Sequence, residues 1–196
     1  MEDIKISEQK SLEIITSMIQ DTKTKIEKNS GLPFLTWGYT TVIVSILEFF
    51  VENQGLNPNL KWGWWLIPII GWLLMIPQLK KRKKENLPSN FIDRAINLVW
   101  IIVSIATLFA LPISIFGRTS ILFTMTLFMG IGTALTGGLL KFRLLIISGF
   151  IGIIGSLAFS LPLHLEYRGL PILFFAAIFA LMMIVPGHIL NYKTNK

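Results

Sequence analysis

Six stretches of this sequence are apolar almost without interruption: residues 32–51, 62–79, 91–116, 119–140, 144–161 and 170–190. Each is roughly 18–26 residues long, and about 20 residues of helix cross a hydrocarbon core about 30 Å thick. Nothing else in the chain constrains the fold as strongly. In lipid only an α-helix or a closed β-barrel satisfies its own backbone hydrogen bonds. The blocks show no polar/apolar alternation, so the barrel fails. The expected fold is all-α: about six transmembrane helices in three tandem hairpins, preceded by a cytoplasmic amphipathic helix over 1–31.

Composition agrees. Only 15% of the residues are charged and 53% are hydrophobic, whereas a soluble domain is about a quarter charged. A soluble core in so short a chain could not bury that much apolar side chain. Prolines 68, 77, 112 and 186 fall in or near the ends of blocks, where kinks are expected, since neighbouring helices can satisfy the backbone groups they free. Residues 1–30 are polar, with no apolar core and cleavage site of a signal peptide. The chain has no cysteine, which excludes disulfides, thiolate metal sites and a cysteine nucleophile.

The distribution of Lys and Arg sets the expected orientation. With both termini in the cytoplasm, the inner segments are 1–31, 80–90, 141–143 and the C-terminus, and the outer ones 52–61, 117–118 and 162–169. Of the 18 basic residues, only Lys61, Arg118 and Arg168 then fall outside. This is the positive-inside asymmetry of a cytoplasmic (inner) membrane protein. It accounts for the net charge of +7 without a nucleic-acid partner. Trp62, Trp64 and Trp65 at the outer end, and Trp37 and Tyr39 near the inner end of the first block, are expected to anchor at headgroup level. The triplets Val44-Ser45-Ile46, Val103-Ser104-Ile105 and Gly155-Ser156-Leu157 occupy similar places in the odd blocks, a pattern suggestive of parallel repeats in transporters.

The N-terminal segment reads as a helix capped by Ser7 and ended at Gly31. Leu12, Ile15, Ile19, Thr22 and Ile26 follow 3-4-3-4 spacing, and Met18 widens the stripe. Its polar side carries four acids and four bases between Glu8 and Lys28. A helix meant for anionic lipid would be basic, with Trp or Phe on its apolar face. This one is neutral and aliphatic, which suits contact with protein: its own cytoplasmic face, a second copy or a separate partner.

Other candidates are sparse. Lys80-Lys81-Arg82-Lys83-Lys84 directly follows the second block and suits acidic lipid headgroups as well as setting topology. Glu48 is the acid set well inside a block, and intramembrane carboxylates are functional candidates. Its position near the outer end also suggests reach to headgroup water. Asp93, Arg94 and Asn97 open the third block, with Asp93 suited to the helix dipole, Arg94 to snorkelling, and Asn97 on the face of Asp93. His164, Glu166 and Arg168 cluster in the last outer loop, too few to hold a metal. Pro186-Gly187-His188 faintly suggests part of a membrane phosphatase motif, whose other elements are missing. Gly130, Ala134 and Gly138, and Ser148, Gly152 and Ser156, recur at four-residue intervals. They predict close packing of the fourth and fifth blocks. No catalytic residue, metal site or cofactor is expected, because nucleophile-elbow, zinc-protease and phosphate-loop motifs are lacking.

Lys10-Ser11-Leu12-Glu13-Ile14-Ile15, Met18-Ile19 and the run Asn29-Ser30-Gly31-Leu32-Pro33-Phe34-Leu35-Thr36-Trp37-Gly38-Tyr39 resemble the opening of small, uncharacterised multi-pass bacterial integral membrane proteins. The resemblance covers about thirty residues. It implies the same polar helix leading into a membrane helix, and brings no activity. The sequence thus points to a membrane protein working through protein contact, with a small-solute or ion transporter or channel as the alternative.

Overall fold

The computed structural model describes residues 8–55, 63–84, 91–117, 119–160 and 169–194, and every regular element among them is helical. α1 is Glu8–Asn53, α2 Leu66–Lys84, α3 Phe91–Gly117, α4 Ile121–Leu139 and α5 Arg143–Ser156, the last extended by a 3-10 turn, Leu157–Phe159. α6, Leu170–Phe179, passes through a π turn, Ala180–Ile184, directly into α7, Val185–Thr194.

Among the described residues, each of the six apolar blocks is mainly helical. Among the described residues, four helices are long and apolar enough to cross a membrane: Gly31–Asn53, Phe91–Ser114, Ile121–Leu139 and Leu170–Lys193. The other two are shorter in apolar length than expected. α2 gives its last turns to Lys80-Lys81-Arg82-Lys83-Lys84, and α5 with its 3-10 turn is the shorter apolar helix Arg143–Phe159.

The first expectation to be corrected is the helix end at Gly31. α1 runs through it, and through Pro33, as one helix of 46 residues. Gly31 is there for close approach rather than for capping. A Cβ on it would overlap Asn191 Oδ1 and lie 2.8 Å from the Gly187 carbonyl oxygen of α7. Gly187 returns the contact: its Cβ would lie 2.9 Å from Leu35 Cδ2. Two glycines thus let α1 and α7 touch backbone to backbone.

The most extensive contact joins α4 to α5, as the small-residue pattern predicts; Gly130, Ala134 and Gly152 lie on it as expected, with Gly137 in place of Gly138 and Gly149 added. A Cβ on Gly130 would lie 2.8 Å from Ile153 N, and one on Gly137 2.6 Å from Ile146 N. Ala134 lies against Gly149. Gly138 faces open space. The contact face runs 130, 134, 137, alternating steps of four and three, because 3.6 residues per turn carries a strict four-residue series off the face. On α5 the contact is made by Gly149 and Gly152, whereas the Ser148 and Ser156 hydroxyls donate back to Leu145 O (3.0 Å) and Ile153 O (2.6 Å).

The connection between these helices is a six-residue cap. Phe142 N–H donates to Gly137 O (2.9 Å) and Lys141 N–H to Gly138 O (3.1 Å), the paired bonds of a Schellman motif. Lys141 takes the left-handed position, φ 54°, that glycine usually fills. A side chain there costs about 1–2 kcal/mol. Lys141→Gly should therefore raise stability in detergent by up to about 1 kcal/mol; a lowered melting temperature would show that the lysine side chain contributes more than its backbone strain.

Around this pair the core gathers Phe34, Leu145, Phe175, Phe179, Met182 and Met183. Phe175 meets Phe179 at 4.5 Å and the edge of Trp64 at 5.9 Å, while Phe34 meets Trp100 at 6.0 Å. The π turn lies just before Pro186. A proline ring clashes with the carbonyl four residues earlier, here that of Met182, and a widened turn relieves the clash. The outer surface is apolar: α3 exposes Leu98, Ile101, Ile105, Leu108, Phe109 and Phe116, as a lipid-facing helix should.

The three serines of the apparent repeat do not share an environment. Ser45 and Ser156 are fully buried, whereas Ser104 is exposed. The main helix contact also joins the second expected hairpin to the third, so packing does not divide along the hairpins.

Candidate functional site

Two places stand out: the N-terminal part of α1 and the inward face of the same helix near its other end. The first follows from the continuity of α1. Its membrane-length part begins at Gly31, so residues 8–30 project beyond it as about 34 Å of helix. Leu12 is 64% exposed and Ile14 is exposed with it. Thr16 and Ser17 donate to the carbonyls of Leu12 (2.7 Å) and Ile14 (2.9 Å), and Lys10 and Glu13 are exposed beside them. Ile15, Met18, Ile19 and Ile26 lie on the described backbone; their side chains are outside the described residues.

The second place corrects the reading of Glu48. Instead of reaching headgroup water, it is only 5% exposed. It lies on a buried strip with Thr41 and Ser45, all three nearly or fully covered. Its Oε1 sits against Gly63, where a Cβ would overlap it. Gly63 opens the 3-10 turn of residues 63–65 that leads into α2, and Trp64 in that turn packs on Phe175. The carboxylate is thus enclosed between α1 and the start of α2.

The remaining candidates are not brought together. Lys80 is exposed at the end of α2, and the helix continues through Lys81, Arg82, Lys83 and Lys84, whose side chains are outside the described residues. Asp93 is half-buried in the first turn of α3, while Arg94 and Asn97 face outward. His164, Glu166, Arg168 and Trp62 lie outside the described residues. Among the described residues no group of three or more His, Asp or Glu is placed to hold a metal ion.

Several aromatic anchors turn out to be packing residues. The Trp37 ring fills the space over Gly71 of α2, 2.6 Å from where a Cβ would stand, and Trp64 belongs to the core margin. Trp65 is exposed as expected of an anchor. Tyr39 is exposed too, but its hydroxyl meets His188 Nε2 at 2.6 Å, with the rings edge to face. That pair and the Gln78 Nε2 to Thr36 Oγ1 bond of 2.7 Å tie α1 to α7 and α2. Their partners are far apart in the chain, and no local spacing signals them.

No family model matches this chain, and no curated protein or solved structure matches it.

Proposed function

We propose that this protein resides in the cytoplasmic membrane and acts by protein contact through the N-terminal part of α1. One observation carries the reading: α1 is a single helix whose residues 8–30 lie beyond its membrane-length part, with Leu12 exposed on them. A free amphipathic helix of this length is marginal in water. One continued from a membrane helix is already nucleated and held at the surface at high effective concentration. Its balanced charge and aliphatic stripe favour protein over lipid as the surface it meets. The partner class is a protein, either another copy or a distinct one.

The reading includes about six spans with both termini inside, supported by the Lys and Arg asymmetry. Cysteines introduced at Gly55, Gly117 and Gly169 should react with an impermeant thiol reagent in intact cells, and those at Ser89 and Thr194 should not. Labelling of the second set alone would reverse the orientation and place the extension outside.

The second reading is a transporter or channel for a small solute or ion. The inward burial of Glu48 favours it, since charged groups enclosed within membrane helices commonly mark ion or proton pathways.

A further inference from the structure

We propose that the turn between α4 and α5, together with the end of α7, binds the headgroup of an anionic phospholipid through Lys141, Arg143 and Lys193. The site rests on the membrane placement proposed above and is independent of the protein contact.

The case begins with an aromatic ring. Phe142 packs on the margin of the core, and its N–H is fixed to Gly137 O at 2.9 Å. Lys193, in the last turn of α7, sets its Nζ over that ring, 5.3 Å from the centroid, within the reach of a cation–π contact. Phe142 is flanked in sequence by Lys141 and Arg143, both exposed, as Lys193 is. Two elements far apart in the chain thus bring three cations to one end of the bundle.

The elements that carry and support these cations hold no counter-charge: α4, α5, α6 and α7 contain no Asp or Glu. Arg143 even stands in the first turn of α5, where the helix dipole favours an acid, and that turn has neither an acid nor a side-chain cap. Gathered like charges repel one another, and an anion placed among them offsets the repulsion.

Depth and the neighbouring surface identify the anion. The apolar span of α4 ends at Leu139 and that of α6 and α7 at Lys193, so the cations stand where apolar helix gives way to water. Lipid phosphates lie at that level, and basic clusters between helices there suit anionic headgroups. Below Arg143 the same face of α5 continues, at helical spacing, through Ile147, Phe150 and Ile154, all exposed. A cation at the head of an apolar strip matches a lipid, phosphate above and acyl chain below; a soluble anion would use only the first part.

The test counts lipids bound to the full chain by native mass spectrometry, in mild detergent with equal amounts of phosphatidylglycerol or phosphatidylcholine. Phosphatidylglycerol should be retained in preference. Arg143→Gln with Lys193→Gln should weaken its binding by about tenfold or more and leave phosphatidylcholine unchanged; the charge-keeping pair Arg143→Lys and Lys193→Arg should retain most of it. Lys141→Gly, which eases the backbone, should lose phosphatidylglycerol as well, which separates lost binding from lost fold. No preference between the two lipids, or unchanged binding in the Gln pair, would overturn the proposal. So would a loss that appears instead in Lys80→Gln with Lys81→Gln, and displacement of the lipid by millimolar inorganic phosphate would overturn it in favour of a soluble anion. A chain that inserts normally but shows no preference contradicts this site alone, whereas failure to insert contradicts the membrane placement.

Discussion

Gly149→Ala will destabilise the protein by about 1–3 kcal/mol, and Gly149→Leu by more, because there is no room for the first added carbon. A Cβ on Gly149 would overlap Ala134 N and lie 2.7 Å from Ala134 Cα. Both are backbone atoms of α4, so relief requires the two helices to move apart along their whole contact. Two comparisons isolate the cause. Gly152 has Met182 Sδ as its nearest obstacle, and a flexible thioether can give way, so Gly152→Ala should cost less. Gly138 faces open space in the same helix as Ala134, and Gly138→Ala should be neutral or stabilising by about 0.5–1 kcal/mol from helix propensity alone. Melting temperatures of the three variants in one detergent should rise in that order, with Gly149→Ala lowest and Gly138→Ala highest. Equal losses at Gly149 and Gly138 would mean that α4 and α5 do not meet on this face.

The second large effect belongs to the extension of α1. Ile15→Asp combined with Ile19→Asp should weaken binding of the proposed partner by roughly 10²- to 10⁴-fold, since each isoleucine contributes about 1.5–3 kcal/mol when buried. Membrane insertion should be unaffected, because the apolar helices begin at Gly31. Lys23→Glu with Lys25→Glu changes charge on the polar side and is the control that separates the readings. A helix meeting anionic lipid would lose affinity through those charges; one meeting protein along its aliphatic stripe would retain most of it.

How much of this was legible in the sequence depends on the range of the interaction. The apolar blocks were, because lipid tests each helix separately for length and polarity. The pairing of α4 with α5 was too, since small residues at helical spacing point to close packing. Gly130 and Gly152 were named with it, but not every contact glycine was: Gly137 and Gly138 are neighbours, and only the rotation of the helix decides which of them faces Ile146. Gly31 read as a helix end because glycine fits both a cap and a backbone contact. Its true constraint, α7, lies some 156–160 residues further on, at Gly187 and Asn191. Glu48 was visible as a charge in an apolar block, while its inward direction and enclosure by Gly63 depend on where α2 begins. The Tyr39–His188 pair spans 149 positions, beyond any local pattern.

The central claim, that residues 8–30 are a protein-contact surface, is tested most directly by mass. The full-length protein and a variant lacking residues 1–28 are extracted from the membrane in mild detergent, and the mass of each protein complex is measured by light scattering with the detergent subtracted. The full-length protein should run as a larger assembly, with a second copy or a co-purifying protein, and the truncated one should insert normally but lose it. If both have the same protein mass and the same companions, and a peptide of residues 5–30 turns helical on anionic vesicles, the extension is a lipid-surface element and the account is contradicted.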